Sequence, residues 1–279
     1  MKEKFKNIYV TIGIIIVLIW SVMPLYWVLM FSFKSDATLF DDVTFIPRLS
    51  DLSLQPYLSV FTEHAFGQFF INSIIISLGS VVLALVVGIP GAYAFTRLDF
   101  PGRNVLFYLV IVSVFFPWIA LIIPIYSIYQ QLGLMNTYLG VIIAYTVVIM
   151  PLCMWLLRGF FAQSIDPDLE DAAMVDGCSL MEAFFRVILP LSMPALTAVA
   201  TFTFLVAWNE FIWVFLLTSG EAKRTATVAL HYMMGTDVAR DWNSLLAAML
   251  LVTIPPVVFY GLLQRFITRA FITTGGTKG

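Results

Sequence analysis

The sequence predicts an all-α membrane protein with six membrane-spanning helices, and three observations carry that expectation. Hydrophobic residues make up 61% of the 279 and charged residues 11%, against about 25% charged in an ordinary soluble domain. Mean hydropathy is +0.94. The charges leave long intervals free, each sufficient for the ~20 apolar residues that cross the hydrocarbon core. This composition excludes a cytosolic enzyme, a disordered chain and a disulfide-stapled secreted domain.

The spans follow from those intervals. No charge lies between Lys6 and Lys34, Glu63 and Arg97, Arg103 and Arg158, Arg186 and Glu210, or Asp241 and Arg265. The interval 104–157 is too long for one span. Its middle, Tyr129 to Thr137, is a polar, glycine-containing break, so two helices are expected there. The spans are then 8–32, 69–95, 105–127, 138–158, 192–217 and 245–266, together forming one transmembrane domain over 1–279. Pro24, Pro90, Pro117, Pro124, Pro151, Pro255 and Pro256 fall inside them and predict kinks, which membrane helices tolerate when neighbours satisfy the freed carbonyls. The first span is too long for a signal peptide and no small-residue cleavage site follows it.

Basic residues set the expected orientation. With the N-terminus inside, Lys2, Lys4, Lys6, Arg97, Arg103, Arg158, Arg186, Arg265, Arg269 and Lys278 face the cytoplasm. Lys34, Arg48, Lys223, Arg224 and Arg240 face outward. This favours both termini in the cytoplasm, with outer loops at 34–68 and 218–244. No basic cluster suggests a nucleic-acid partner. Cys153 and Cys178 have no metal-ligand spacing and are expected to be unpaired.

One connector is patterned. From Arg158 to Arg186, eight of 29 residues are charged. Asp166 with Pro167 reads as the start of one short helix. Gly177 permits a tight turn. Ser179 to Glu182 reads as a capping box opening a second helix, which meets Pro190. Such a unit suits docking into a groove of another protein. The apolar residues Met174, Met181, Phe184 and Phe185 equally suit a helix lying on the membrane surface.

The run Leu169-Glu170-Asp171-Ala172-Ala173-Met174-Val175-Asp176-Gly177-Cys178-Ser179, followed by Phe185-Arg186-Val187-Ile188-Leu189-Pro190-Leu191 and Pro194, resembles the EAA loop of ABC-importer permeases. Asp171 stands where that family usually has Glu. Gly91 to Phe95, Arg97 to Arg103, Ala207 to Phe211 and the tail Gly275 to Gly279 resemble its carbohydrate branch, of the six-span maltose type. The resemblance implies a type I importer permease fold in a prokaryotic inner membrane. It further implies a coupling helix within 166–186, between spans 4 and 5, that seats on an ATPase subunit. Glu170 and Asp171 would supply polar contacts, Ala172, Ala173 and Gly177 close packing, Ser179 the cap, and the C-terminal tail a weaker contact. Its partners would be a second permease subunit, two ATP-binding cassette subunits carrying ATP and magnesium, and an extracytoplasmic sugar-binding protein.

The residues themselves agree with a non-catalytic role. No Gly-x-x-x-x-Gly-Lys-Ser/Thr occurs, so this chain lacks a P-loop. No cofactor, metal or catalytic residue is expected. Glu210 is the lone charge between Arg186 and Glu221, and an ionisable group near a span is a functional candidate. With Trp208, Asn209, Trp118 and Tyr145 it forms the expected translocation path. The competing structural role is that Glu210, near the outer end of its span, faces water or caps a partner helix. The alternative function is an ion-coupled secondary transporter, which ordinarily needs more intramembrane charge and an internal repeat. A membrane protease would need a nucleophile and base within the spans, and His64 and His231 both lie outside them.

Overall fold

The computed structural model describes residues 2–34, 48, 51–63, 65–235 and 242–275. Much of the loop 34–68, residues 236–241 and Gly276 to Gly279 of the tail lie outside the described residues. The described chain is helical: α1 (Lys2–Ser32), α2 (Gln55–Thr62), α3 (Phe66–Arg97), α4 (Arg103–Val112), α5 (Ile122–Gln131), α6 (Tyr138–Ser164), α7 (Asp168–Val175), α8 (Leu180–Ala183), α9 (Leu189–Leu191), α10 (Met193–Asn209), α11 (Ile212–Leu217), α12 (Ala226–Gly235) and α13 (Trp242–Gly275). Four helices, α1, α3, α6 and α13, are long and apolar enough to cross a membrane, and up to six spans result if each of two bent helix pairs counts as one.

The first bent pair replaces the continuous helix expected over 105–127. α4 runs into a 3-10 turn at Ser113–Phe115, and a second such turn at Trp118–Leu121 leads into α5, with a 95° change of direction. Pro117 is the cause. It lacks an N–H, and it forces Phe116 before it into extended backbone (φ −74°, ψ 131°). The second pair turns through 71° at Ser192. Just before it, Phe184–Ile188 forms a π-helical turn, with the Leu189 N–H donating to the Phe184 carbonyl. Pro190 has no N–H for the Arg186 carbonyl, so the ladder shifts register there. The expected span 192–217 is also interrupted, at Glu210, between α10 and α11. By contrast, Pro24, Pro90, Pro151, Pro255 and Pro256 sit inside continuous helices.

The chain packs as two compact units. The first comprises 1–68 and 229–254. In it, Ser32 Oγ donates to the Leu29 carbonyl and shares a hydrogen bond with the Tyr57 hydroxyl, while the Phe33 ring lies 4.9 Å from that of Tyr57. These contacts hold α2 against the end of α1. Most of α1 is exposed on every side, Trp20 at 80%. An apolar helix exposed all round requires lipid or another apolar surface.

The second unit, 69–228 with 255–279, holds the main core. Ile76, Tyr145, Cys153, Leu157, Phe161 and Ile188 are almost fully buried there. α6 packs on α10, where Cys153 Sγ lies 3.3 Å from Thr203 Oγ1. Both cysteines are free thiols.

Candidate functional site

The patterned connector is built by local capping. α6 stops at Ser164, and Ile165 is extended and buried. The Asp166 carboxylate accepts the Asp168 N–H at 3.1 Å, opening α7. Asp168, Glu170 and Asp171 crowd its first turn, where carboxylates face the positive end of the helix dipole. Gly177 ends α7 with φ +92°, a conformation that side-chain-bearing residues resist. The Cys178 N–H donates to the Ala173 carbonyl and the Gly177 N–H to that of Met174, which together satisfy the helix end in a Schellman arrangement. Ser179 then caps α8. Its Oγ accepts the Glu182 N–H at 3.3 Å, and a Glu182 carboxylate oxygen accepts the Ser179 N–H at 2.9 Å. Those donors from Ser179, with Arg186 nearby, hold the Glu182 carboxyl below its ordinary range.

α7 has two faces. Ala173 and Glu170 turn inward, Glu170 at 5% exposure. Asp171, Ala172, Met174 and Val175 turn outward, Val175 at 87% exposure. Thus Asp171, Ala172, Gly177 and Ser179 are open to solvent, whereas the Glu170 carboxylate does not point outward as expected. It is taken up within the chain. The Tyr93 hydroxyl donates to one of its oxygens, and Arg97 Nε lies 3.0 Å from the other. Arg97 also donates through Nη2 to the Ile165 carbonyl at 2.5 Å. The Tyr93 ring meets Phe161 edge-on at 6.2 Å and Phe184 at 4.7 Å. The last turn of α3 therefore holds the end of α6, the start of α7 and the π turn together. Removing one partner from a buried ion pair costs about 3–5 kcal/mol, because the other charge is left uncompensated. Tyr93 and Arg97 were not singled out from sequence as site residues. Their signal lay in the stretch from Gly91 to Arg97, whose spacing places both on one face of a helix.

Among the described residues, those expected along a translocation path lie in different surroundings. Glu210 is extended backbone between two helices, and its Oε1 accepts the N–H groups of Ile212 (2.8 Å) and Trp213 (3.1 Å). Its carboxylate thereby caps the start of α11 from the position before the N-cap residue, Phe211. Its carbonyl accepts Thr227 Oγ1 at 3.0 Å and, at 3.4 Å, the hydroxyl of fully buried Tyr145. Trp208 is 2% exposed, stacked on Phe204 and edge-on to Phe70. Asn209 is exposed, and its amide donates to the Leu205 carbonyl. Trp118 opens the 3-10 turn after Pro117, and its side chain is not among those described.

A polar junction lies beside them. Asn72, fully buried near the start of α3, donates to the carbonyls of Ala222 (3.1 Å) and Arg224 (2.8 Å) and accepts the Tyr138 hydroxyl (2.7 Å). Ser73 accepts the Ala226 N–H, and Lys223 Nζ lies 3.6 Å from the Tyr138 ring centre. The loop 218–225 is thereby tied to α3 and α6.

The apolar helices and the broken spans define a multi-pass membrane protein, and its fold is matched in an ABC importer. A chain in the crystal structure of a bacterial ABC transporter involved in the import of the acidic polysaccharide alginate matches with a TM-score of 0.82, at 22% identity, over 95% of this chain and 97% of that one. The chain belongs to the family of binding-protein-dependent transport system inner membrane components, whose model matches residues 80–273. It is 35% identical to the trehalose transport system permease protein SugB of Mycobacterium tuberculosis, over 93% of each chain. It is 32% identical to the diacetylchitobiose uptake system permease protein NgcG of Streptomyces coelicolor, over 90% of this chain and 84% of that one. The trehalose/maltose transport system permease protein MalG of Thermococcus litoralis is 32% identical, over 100% and 99%. The chain is thus the non-catalytic membrane part of its transport system, the ATPase being a separate subunit. Nothing in these likenesses supports ion coupling.

Proposed function

We propose that this chain is one of two unlike permease subunits of an ATP-driven sugar importer, forming half of the pore. The relatives named for trehalose, maltose and diacetylchitobiose support a di- or oligosaccharide as cargo. In this reading each bent pair is one span, giving six, and both termini are cytoplasmic, in accord with the excess of Lys and Arg on that side. α7 and its caps, within 166–186, form the coupling helix that seats on an ATPase subunit. ATP and magnesium are bound by that partner, and this chain holds no cofactor. A binding protein delivers the sugar from outside.

The observation that carries this reading is the outward face of α7. An eight-residue helix, fixed by an Asp166 cap and a Schellman end, presents Asp171, Ala172, Met174 and an 87% exposed Val175. A small, exposed, rigidly capped apolar tip beside a carboxylate suits insertion into a cleft of another protein. Val175→Arg adds a long charged side chain there without disturbing the cap. Substituting Gly177 would strain its φ +92° turn instead. When the tagged chain is co-expressed with its ATPase and second permease and purified in detergent, wild type is expected to bring down both. Val175→Arg is expected to lose most of the ATPase and keep the permease. Equal ATPase recovery by the variant would refute the docking face.

A further inference from the structure

We infer that Glu170, Arg97 and Tyr93 form a latch that makes α7 and the end of α3 a single moving body, so that Glu170 is a positioning residue for coupling. The inference rests on the coupling role proposed for α7. α7 is joined to its neighbours by two weak points. One is the single extended residue Ile165 before the Asp166 cap, and the other is left-handed Gly177. Backbone alone would let a push on α7 dissipate by rotation at both. Three side-chain links oppose this, and all come from one turn of α3. Tyr93 and Arg97 grip the two oxygens of Glu170, and Arg97 also holds the carbonyl of Ile165, the first weak point itself. The bonds from Tyr93 to the Glu170 carboxylate and from Arg97 to the Ile165 carbonyl are charge-assisted and directional, and the Arg97–Glu170 contact adds an ion pair, so together they resist sliding in a way that apolar contacts do not. Their side chains are buried, Glu170 at 7% and Arg97 at 13%, which limits competition from water. α3 continues unbroken for 32 residues through Pro90, so displacement at its last turn is carried along its length. The exposed face of α7 then receives motion, and the buried face delivers it to a span.

The test measures whether the two segments move together. Spin labels are placed at Asp99→Cys and Asp176→Cys, both exposed, in a Cys178→Ser background. Cys153, fully buried, remains in place. The complete complex in lipid nanodiscs is compared without nucleotide and after trapping with magnesium ATP and orthovanadate. In wild type the distance between labels is expected to stay narrow and unchanged. In Glu170→Gln and in Tyr93→Phe, which keeps its ring against Phe184, trapping is expected to broaden and shift it. A wild-type distance that changes on trapping overturns the latch, and so do variants that behave as wild type. If Glu170→Gln yields no complex, Tyr93→Phe decides alone. Failure of the coupling reading is seen separately, as absence of the ATPase from the purified wild-type complex, and the latch falls with it.

Discussion

Glu210 shows how one side chain settles between two roles. Its position near a span made it a candidate for the transport path, yet its carboxylate is committed to the first N–H groups of α11. A helix start in an apolar environment has no water to satisfy those donors. Glu210→Ala is therefore expected to destabilise the detergent-solubilised protein by about 0.5–2 kcal/mol, the usual cost of losing a cap. Glu210→Gln, which keeps an acceptor oxygen, should recover most of the loss in thermal unfolding. Equal losses for both would assign Glu210 a charge-dependent role instead.

At the scale of elements, the spacing of charges located the helices, and proline chemistry decided where they stay whole. Pro90 and Pro151 lie within long helices that continue through them, whereas Pro117 and Pro190 coincide with a 3-10 break and a π turn. Each proline removes the same N–H, so residue type alone does not decide whether a helix continues through it. Glycine positions divide the same way. A methyl added at Gly91 meets the mobile end of Met154, while one added at Gly140 falls 2.2 Å from the backbone carbonyl oxygen of Leu134. Gly140→Ala is expected to cost about 1–3 kcal/mol, the range of overpacking where nothing can yield. Gly91→Ala should cost less than about 1 kcal/mol, since Met154 has rotamers to spare. Denaturant titration of the two variants side by side tests the ranking.

At the scale of the molecule, the apolar surface has to be met by lipid or by other subunits. α1, exposed on every side from Tyr9 to Leu25, makes no sense in water. The cytoplasmic placement proposed for both termini predicts that a reporter fluorescent only in the cytoplasm, fused at either end, is bright. A reporter active only outside is expected to work when inserted between Ser219 and Glu221 and to be silent at the termini. Bright signal of the first kind at that loop would reverse the topology and move the α7 face away from any cytoplasmic ATPase.

Composition and charge spacing by themselves determined that this is a polytopic helical membrane protein and bounded its apolar helices. Local chemistry determined the caps: Asp166, Gly177 and the Ser179–Glu182 box are sequence-local devices, and each bond closes within a few residues. The ordered run from Glu170 to Pro190 made the family legible. Only the tertiary structure decided which acidic residue of that run faces out. Glu170 and Asp171 are adjacent in sequence and equally charged, but a helix turns about 100° per residue. One is thereby buried against Arg97, 73 positions earlier, while its neighbour is left in solvent. The same holds for Asn72 and the loop 150 residues beyond it. Partners so distant in the chain are chosen by packing, which no local pattern encodes.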